Sequence, residues 1–515
     1  MFKMTLLVSL RNFRRDSAYV LINLCGLVLG IACFLLLALF LQSQLSYDRH
    51  FNNYQNIYRV ADRLHSEDGS VAHRSRTSRE LAELLQKDYP DIIDVVRFSP
   101  IDRANLSAQM LAFGDDKQYW DNVYYADANV FSMFSHDIIL GDPETALSAP
   151  SSIAINESVA KHYFGNDNPL GKRLETDFGS FQVTLVFKDL PNNTHFKYPA
   201  LLSYHNFISN EPTLNYNRSL WFLNAFTYVK MTAPFDQQRI ERMTWEIFDN
   251  YLAEGGKRIG KKRSFYFEPL ADIHLNSIVG GDFPRGNKVA LIACALLGVF
   301  VLLIACINSM NLAIARSIKR SNEVGLRKIL GIGRWQLIGH FLGEATLFAF
   351  ASLIIATLLV TSLIESGLVN PLIGGGLALN LLNPLTLLAL LALGLILGLI
   401  TGIYPALYLA KVTPKSALSA SNRTGTGGKR GLIQQGLVMI QFTFSIAVIS
   451  GALLMAGQIE FLREQPLGFN DSNLVLVKLR GGEMIRKIPT LKSDLLRDSR
   501  IVGAATTLKV PGVDT

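Results

Sequence analysis

The chain has 515 residues, of which 49% are apolar and 18% charged, and its formal net charge is +8. This length predicts more than one domain, and the apolar excess is typical of a membrane protein. The basic residues gather beside apolar segments and form no tract or face, which argues against a nucleic-acid partner. The four cysteines all lie inside apolar segments and the nine histidines are scattered, so neither a disulfide framework nor a metal site is expected.

Five segments are long and apolar enough to cross a bilayer, since a spanning helix needs about 20 residues. In chain order they are residues 18–45, 289–314, 337–364, 385–409 and 432–457. A cleavable signal peptide is the alternative for the first segment, but its apolar core is too long and no A-x-A site follows. Gln434, Gln435 and Gln441 interrupt the fifth segment, which is the weakest of the five.

Lysines and arginines predict the orientation, because they are enriched in cytoplasmic loops. Basic residues precede the first span and fill the loops between spans two and three and between spans four and five. The loop between spans three and four has no lysine or arginine. These loops all agree if the N-terminus is cytoplasmic. Residues 46–288 then form one large domain outside the cytoplasm, and residues 458–515 lie on the same side.

The segment 46–288 mixes helical and strand-like patterns. "SRELAELLQKDYPDIIDVVRFSP" reads as an amphipathic helix that stops at Tyr89-Pro90 and is followed by an apolar strand. We therefore predict an α-helical integral membrane protein with a large α+β domain inserted between transmembrane helices 1 and 2. After the fifth span, "KSDLLRDSRIVGAATTLKVPG" weakly repeats the order helix, strand, proline. We expect residues 458–515 to begin a second such domain, and the chain to be a fragment of a longer, duplicated protein.

The segment "FGNDNPLGKRL", residues 164–174, resembles a nucleotide-binding P-loop, G-x-x-x-x-G-K-[ST]. Here five residues separate Gly165 from Gly171, and Arg173 stands where the motif has its magnesium-binding hydroxyl. The predicted topology also places it outside the cytoplasm, so we interpret it as a surface turn. No G-x-S-x-G or H-E-x-x-H pattern and no paired carboxylates at a recognisable spacing occur in the sequence. The chain is therefore predicted not to be an enzyme.

The predicted cytoplasmic loop between spans two and three, residues 316–336, contains a short amphipathic helix broken by Gly331 and Gly333. The apolar positions of this segment are Val324, Leu326, Ile329, Leu330 and Trp335, and Leu337 follows directly after it. Two interpretations are open, an interfacial helix lying on anionic lipid and a docking helix for a cytoplasmic partner. Residues 1–17 form a second basic amphipathic segment, interpreted as a membrane-surface helix, and residues 411–431 are a predicted cytoplasmic linker.

Taken together, several segments resemble the MacB/FtsX-type ABC transporter permeases, in the large bacterial branch with two repeated halves. The segments are "LSYDRHFNNYQNIYRV", "VFSMFSHDIILGDPETAL", "SSIAINESVAKHYFGNDNPLGKRL", "NEVGLRKILGIGRWQLIGHFLGEA" and "YPALYLAKVTPKSAL". The resemblance implies a MacB-like periplasmic core domain over residues 46–288 and an FtsX-like permease domain over residues 289–410. It also implies a multi-pass protein of the bacterial inner membrane.

The family has a coupling segment of the form E-x-G-x-x-(R/K)-x-x-G. In this chain it is occupied by Glu323, Gly325, Leu326, Arg327, Lys328 and Gly331. The resemblance implies that a cytoplasmic ABC ATPase dimer binds there and that this partner, not the chain itself, binds ATP and Mg²⁺. It further implies a second permease copy or half, and ATP-driven movement of periplasmic domains for the export or extraction of a substrate.

An alternative is an FtsX-like transmembrane regulator of periplasmic or envelope hydrolases. A small external domain and four spans would favour that function, whereas the large domain and the predicted duplication argue against it. The client is open among peptide, antibiotic, lipid and lipoprotein, and so is a periplasmic adaptor.

Overall fold

The structure is a computed structural model. It describes residues 17–100, 109–205, 220–232, 236–279, 285–319, 321–369, 379–410, 429–465, 473–477, 479 and 486–507. The predicted N-terminal segment, apart from its last residue, and most of the predicted linker 411–431 lie outside the described residues. The chain divides into two compact units. The membrane unit comprises the chain up to Leu45 and Lys288–Leu474, and the second unit comprises the inserted domain, Ser46–Asn287, together with the tail from Val475.

The helices are α1 Ser17–Leu45, α2 Arg79–Asp88, α3 Val130–Met133, α4 Glu157–Phe164, α5 Gln237–Ile247, α6 Ala253–Ile259, α7 Ile273–Asn276, α8 Lys288–Lys319, α9 Ser321–Ile329, α10 Arg334–Glu365, α11 Pro384–Ala410, α12 Lys429–Glu464 and α13 Ile488–Leu495. The strands are β1 Ile57–Ser66, β2 Val71–Arg74, β3 Ile92–Pro100, β4 Gln109–Phe113, β5 Asp116–Trp120, β6 Tyr124–Ala126, β7 Ile138–Gly141, β8 Ser152–Asn156, β9 Arg173–Thr176, β10 Gly179–Phe187, β11 Ala200–Ser203, β12 Phe226–Met231 and β13 Lys261–Pro269.

The five predicted membrane spans are confirmed as helices that are long and apolar enough to cross a bilayer. Their spanning parts are Val20–Leu45, Lys288–Ala315, Arg334–Glu365, Pro384–Ala410 and Val438–Glu464. The fifth lies further along the chain than the predicted 432–457. Gln434 and Gln435 fall in the first two turns of α12, ahead of its apolar part.

Small residues allow the helices of the membrane unit to approach closely, as is common where helices pack in lipid. Between α1 and α8, a Cβ added to Gly30 would collide with the Cβ of Ala305. Between α10 and α11, a Cβ on Gly398 would lie 2.6 Å from the Cα of Thr346. Helix α12 contacts α8, where the rings of Phe300 and Phe444 stack with centroids 4.5 Å apart.

In its described residues, the inserted domain is built on one mixed sheet of thirteen strands, which confirms the predicted α+β class. The strand order is β13-β1-β12-β3-β6-β11-β8-β10-β9-β4-β5, with β2 paired to β1 and β7 to β10. Most neighbours are antiparallel, and β8–β10 and β6–β11 are parallel. Because successive residues of a strand face opposite sides, β12 contributes Tyr228 to one hydrophobic core and Val229 to another.

The predicted helix and strand at residues 78–100 are confirmed as α2 and β3, and the helix ends at Tyr89. In the tail, a helix is confirmed, but α13 begins at Ile488, four residues before the predicted segment, and ends at Leu495. The strand predicted after it is wrong for residues 501–507, which form no strand. A strand needs a neighbouring strand to satisfy its backbone N–H and C=O groups, and residues 501–507 have no such pairing.

The P-loop-like segment forms the turn between α4 and β9. Gly165 and Gly171 both have positive φ, 57° and 81°, where glycine is favoured. The Lys172 Nζ lies 3.2 Å from an oxygen of Asp167 and stands over the ring of Phe164. The lysine that would bind a phosphate in a P-loop is thus held by neighbouring side chains of the turn.

Buried ion pairs cross the edge of the sheet at β1, β2 and β13. The Asp62 carboxylate, fully buried, lies 2.8 Å from the Nε of Arg263 and 3.0 Å from Arg74. Burial raises the pKa of Asp62, against the opposing effect of the two arginines. Burial likewise lowers the pKa of Arg263 to about 10. Each charge is therefore tolerated in the interior because its partner is present.

Candidate functional site

The predicted coupling segment forms helix α9 and the turn that connects it to α10. The amphipathic helix expected from the sequence is confirmed over Ser321–Ile329, and the predicted break at Gly331 is confirmed as well. Gly331 has φ +91°, its N–H donates to the Lys328 carbonyl, and the N–H of Ile332 donates to the Arg327 carbonyl. This pair of bonds is a Schellman motif, which stops a helix where glycine takes up the left-handed conformation.

The start of α10 follows at once. Gly333 caps it, and the Gln336 Oε1 accepts a hydrogen bond from the Gly333 N–H at 3.2 Å. Only the four residues Leu330–Gly333 therefore separate α9 from a membrane-spanning helix, and both ends of this turn are held by hydrogen bonds. The connection between α9 and α10 is therefore short and structured.

One side of α9 packs against the membrane helices. Val324, only 1% exposed, contacts Leu337 at the start of α10 and Leu409 at the end of α11. Lys328 lies one turn further along the same side, and its Nζ donates to the carbonyl of Ala410 at 2.8 Å. A cation at this position is favourable because the last carbonyls of a helix carry partial negative charge. Burial and the neighbouring Arg334 lower the pKa of Lys328.

The other side of α9 and the turn expose large apolar side chains. We define the coupling surface as Leu326, Ile329, Leu330, Ile332 and Trp335. Trp335 is 79% and Leu330 76% exposed, and the other three are between 37% and 59% exposed. Large apolar side chains exposed within one short segment are typical of a protein or membrane contact.

The structure separates the predicted coupling residues by position. Leu326 points outward and Arg327 is partly exposed, whereas Gly325 is buried and Lys328 is turned toward α11. Gly331 forms the turn. Glu323 lies in α9, and its side chain is outside the described part of the chain.

Sequence reasoning grouped all apolar residues of the segment together and missed that they face two ways. Val324 and Leu337 are inside, and the coupling surface is outside. It also assigned no role to Ile332. The available signal was the density of large apolar residues around Gly331 and Gly333, which exceeds what one buried helix face can accommodate. Within the described residues, no group of three or more His, Cys, Asp or Glu side chains could hold a metal ion.

Two family models match the chain. One, described as MacB-like periplasmic core domain, matches residues 20–243, and the other, FtsX-like permease C-terminal, matches residues 295–414. Together they match about two thirds of the sequence, and the second includes the whole coupling segment. No curated protein matches the chain significantly.

Among solved structures, the chain is similar to a domain assigned to a permease protein of Porphyromonas gingivalis, with 18% identity over 47% of this chain and 98% of that one, and a TM-score of 0.38. The periplasmic region of MacB from Actinobacillus actinomycetemcomitans is similar at 17% identity, over 44% and 92% of the two chains, with a TM-score of 0.31. The extracellular domain of YknZ, a noncanonic ABC-type transporter from Gram-positive bacteria, is similar at 12% identity, over 41% and 99%, with a TM-score of 0.29.

Proposed function

Since this chain belongs to the MacB/FtsX-type ABC transporter permeases, we propose that it transmits ATP-driven conformational change from a cytoplasmic ATPase dimer to its periplasmic domain. The movement serves the export or extraction of a substrate. The N-terminus is cytoplasmic, as the distribution of basic loops predicts, and the protein lies in the bacterial inner membrane, as the family resemblance implies. ATP and Mg²⁺ are bound by the partner, and this chain contributes contact and movement, not catalysis.

The observation that carries this proposal is the two-sided character of α9. Its outer side offers apolar side chains that a groove of the ATPase can bury, and burial of such anchors dominates binding energy at protein interfaces. Its inner side is joined to α10 and α11 through Val324 and Lys328. A force applied to the coupling surface therefore reaches two membrane helices at once.

Trp335→Ser is expected to weaken binding of the ATPase by about tenfold or more, because an exposed aromatic anchor is lost. The measurement is co-purification and titration of the full chain in nanodiscs with the ABC ATPase that co-purifies with the wild type. The matched control is Leu382→Ser, since Leu382 is 94% exposed in the loop that precedes α11, at the other end of that helix from Ala410. If both variants bind the ATPase equally well, the coupling surface is not the site of ATPase binding. Weakened binding to vesicles of anionic lipid with unchanged ATPase binding would favour the interfacial helix.

Arg327→Glu and Lys328→Glu are expected to differ in their effects on ATPase binding and on stimulated ATP hydrolysis, although the two residues are neighbours. Arg327, for which the sequence pattern of the segment predicts an ATPase contact, is expected to act on ATPase binding. Lys328→Glu places a carboxylate beside the Ala410 carbonyl, so it is expected to lower permease-stimulated ATP hydrolysis while binding is largely retained. The two quantities are measured on the same preparations. If both variants reduce ATPase binding and stimulated ATP hydrolysis in the same proportion, Arg327 and Lys328 do not have separate roles in ATPase contact and in contact with α11.

A further inference from the structure

The inserted domain has two chain connections to the membrane helices. One follows the end of α1 at Leu45, and the other precedes the beginning of α8 at Lys288. Helices α1 and α8 pack on each other, with Gly30 against Ala305 and Gly26 near Asn308. The chain joins this helix pair to the inserted domain through residues 46–50 and 285–287.

The first connection is held deep in the domain by Asp48. This carboxylate is fully buried and accepts a hydrogen bond from the His195 N–H at 3.1 Å, and its other oxygen lies 2.9 Å from the His195 Nδ1. The His195 Nε2 in turn lies 2.8 Å from the hydroxyl of Tyr228, which belongs to β12, a strand inside the sheet. Asp48 also has a positive φ of 60°, a conformation that is costly for a residue other than glycine and persists only where the surroundings enforce it.

The second connection is held on α7. The Gly286 N–H donates to the His274 carbonyl at 2.9 Å, and a guanidinium nitrogen of Arg285 donates to the Ser277 carbonyl at 2.8 Å. A Cβ added to Gly286 would lie 2.7 Å from the Nε2 of His274. Helix α7 is itself anchored in a hydrophobic core, because Leu270 before it and Ile273 within it are buried there.

The His274 ring lies between the two connections. It is 5% exposed and stacks on the Tyr47 ring with centroids 3.4 Å apart and planes 2° apart. Tyr47 follows α1 by two residues, and Gly286, whose N–H donates to the His274 carbonyl, precedes α8 by two. We infer that His274 is a positioning residue that fastens these two connections together, so that α1 and α8 drive the inserted domain as one lever. The role of this contact in transmission rests on the proposed function, but the contact between the two connections can be tested separately.

The test of the fastening is hydrogen–deuterium exchange of the full chain in nanodiscs. Tyr47→Ala removes the stack, so amide exchange in residues 285–287 is expected to rise by about fivefold, the effect of losing one aromatic contact on local opening. Tyr47→Phe keeps the ring and is expected to leave exchange there unchanged. If Tyr47→Ala alters only its own segment, the inference is overturned.

Gly286→Ala tests the fastening from the other side. Its Cβ would lie 2.5 Å from the Leu275 Cδ2 and 2.7 Å from the His274 Nε2. The leucine side chain can rotate away, whereas the imidazole is stacked on Tyr47, so exchange in residues 46–50 is expected to rise. Gly503→Ala is the matched control, because a Cβ there meets nothing within 4 Å and Gly503, like Gly286, has no left-handed φ. If amide exchange in residues 46–50 is equal in both variants, His274 does not join the two connections.

The purpose of the fastening is tested by adding the ATPase. In the wild type and in Tyr47→Phe, amide exchange in the inserted domain is expected to differ between the ATP–vanadate and ADP states of the ATPase. In Tyr47→Ala this difference is expected to be lost, although the ATPase still binds. If the wild type shows no such difference, the proposed function is refuted. The contact between the two connections is then still decided by the Tyr47 and Gly286 exchange measurements. A Tyr47→Ala variant that keeps the full difference would refute the role of His274 in transmission.

Discussion

Gly398→Leu is expected to prevent α10 and α11 from packing and to abolish most of the yield of folded, monodisperse protein. A Cβ at this position meets the backbone Cα of Thr346 at 2.6 Å and its Oγ1 at 2.7 Å, so no rotation of a side chain can relieve the clash. Overpacking of an interior costs about 1–3 kcal/mol where neighbours can adjust, and more where they cannot. The measurement is the midpoint of thermal unfolding in detergent together with the elution profile.

The control for this prediction is Gly339→Leu in α10, where an added Cβ meets nothing within 4 Å. Leucine also has a higher helix propensity than glycine, so this variant is expected to unfold at the wild-type temperature or above it. Equal midpoints for the two variants would show that α10 and α11 can separate at little cost. A displaced α11 would also lose its contacts with Lys328 and Val324, on which the proposed coupling rests.

Asp62→Asn is expected to destabilise the inserted domain by about 3–5 kcal/mol, the usual cost of removing one partner from a buried ion pair. The amide keeps the volume of the carboxylate but leaves the Arg263 guanidinium, 2% exposed, without its counter-charge. Arg263 would still donate to the carbonyls of Leu220 and Trp221, which are neutral. Unfolding of the full chain in urea, followed by tryptophan fluorescence, measures the change.

Asp137→Asn is the matched control, because Asp137 pairs with Lys188 at the surface, where the two side chains are 76% and 60% exposed. Solvent screens such pairs, so little change in stability is expected. Should both variants unfold at the same urea concentration, the Asp62 carboxylate would have no special role, and water or another group would have to neutralise Arg263.

Several features of this protein followed from local sequence patterns. The five spans are runs of apolar residues, and a helix that satisfies its own backbone is the structure such a run adopts in lipid. The end of α9 at Gly331 and the end of α2 at Tyr89 were likewise readable, because glycine and proline act on the backbone next to them. The α+β class of the inserted domain followed from the change between helical and alternating periodicity.

The candidate site was readable only in part. The sequence located the coupling segment and its break, but it could not say that Val324 and Leu326, two residues apart, face opposite directions relative to α10 and α11. That depends on which side of α9 the membrane helices cover. The contact of Lys328 with Ala410 spans 82 residues of sequence, and a lysine in a basic loop gives no sign that its partner is a carbonyl at the end of a distant helix.

The periodicity and charge of the chain were therefore sufficient for its spans, its domain order and its predicted orientation, since those properties arise from each segment's own interaction with lipid, water and its own backbone. Periodicity and charge could not predict that Tyr47 and Gly286 are joined through His274. This contact joins residues from three places that are adjacent only after thirteen strands have formed one sheet, and burial and contact between distant segments are properties of that packed arrangement.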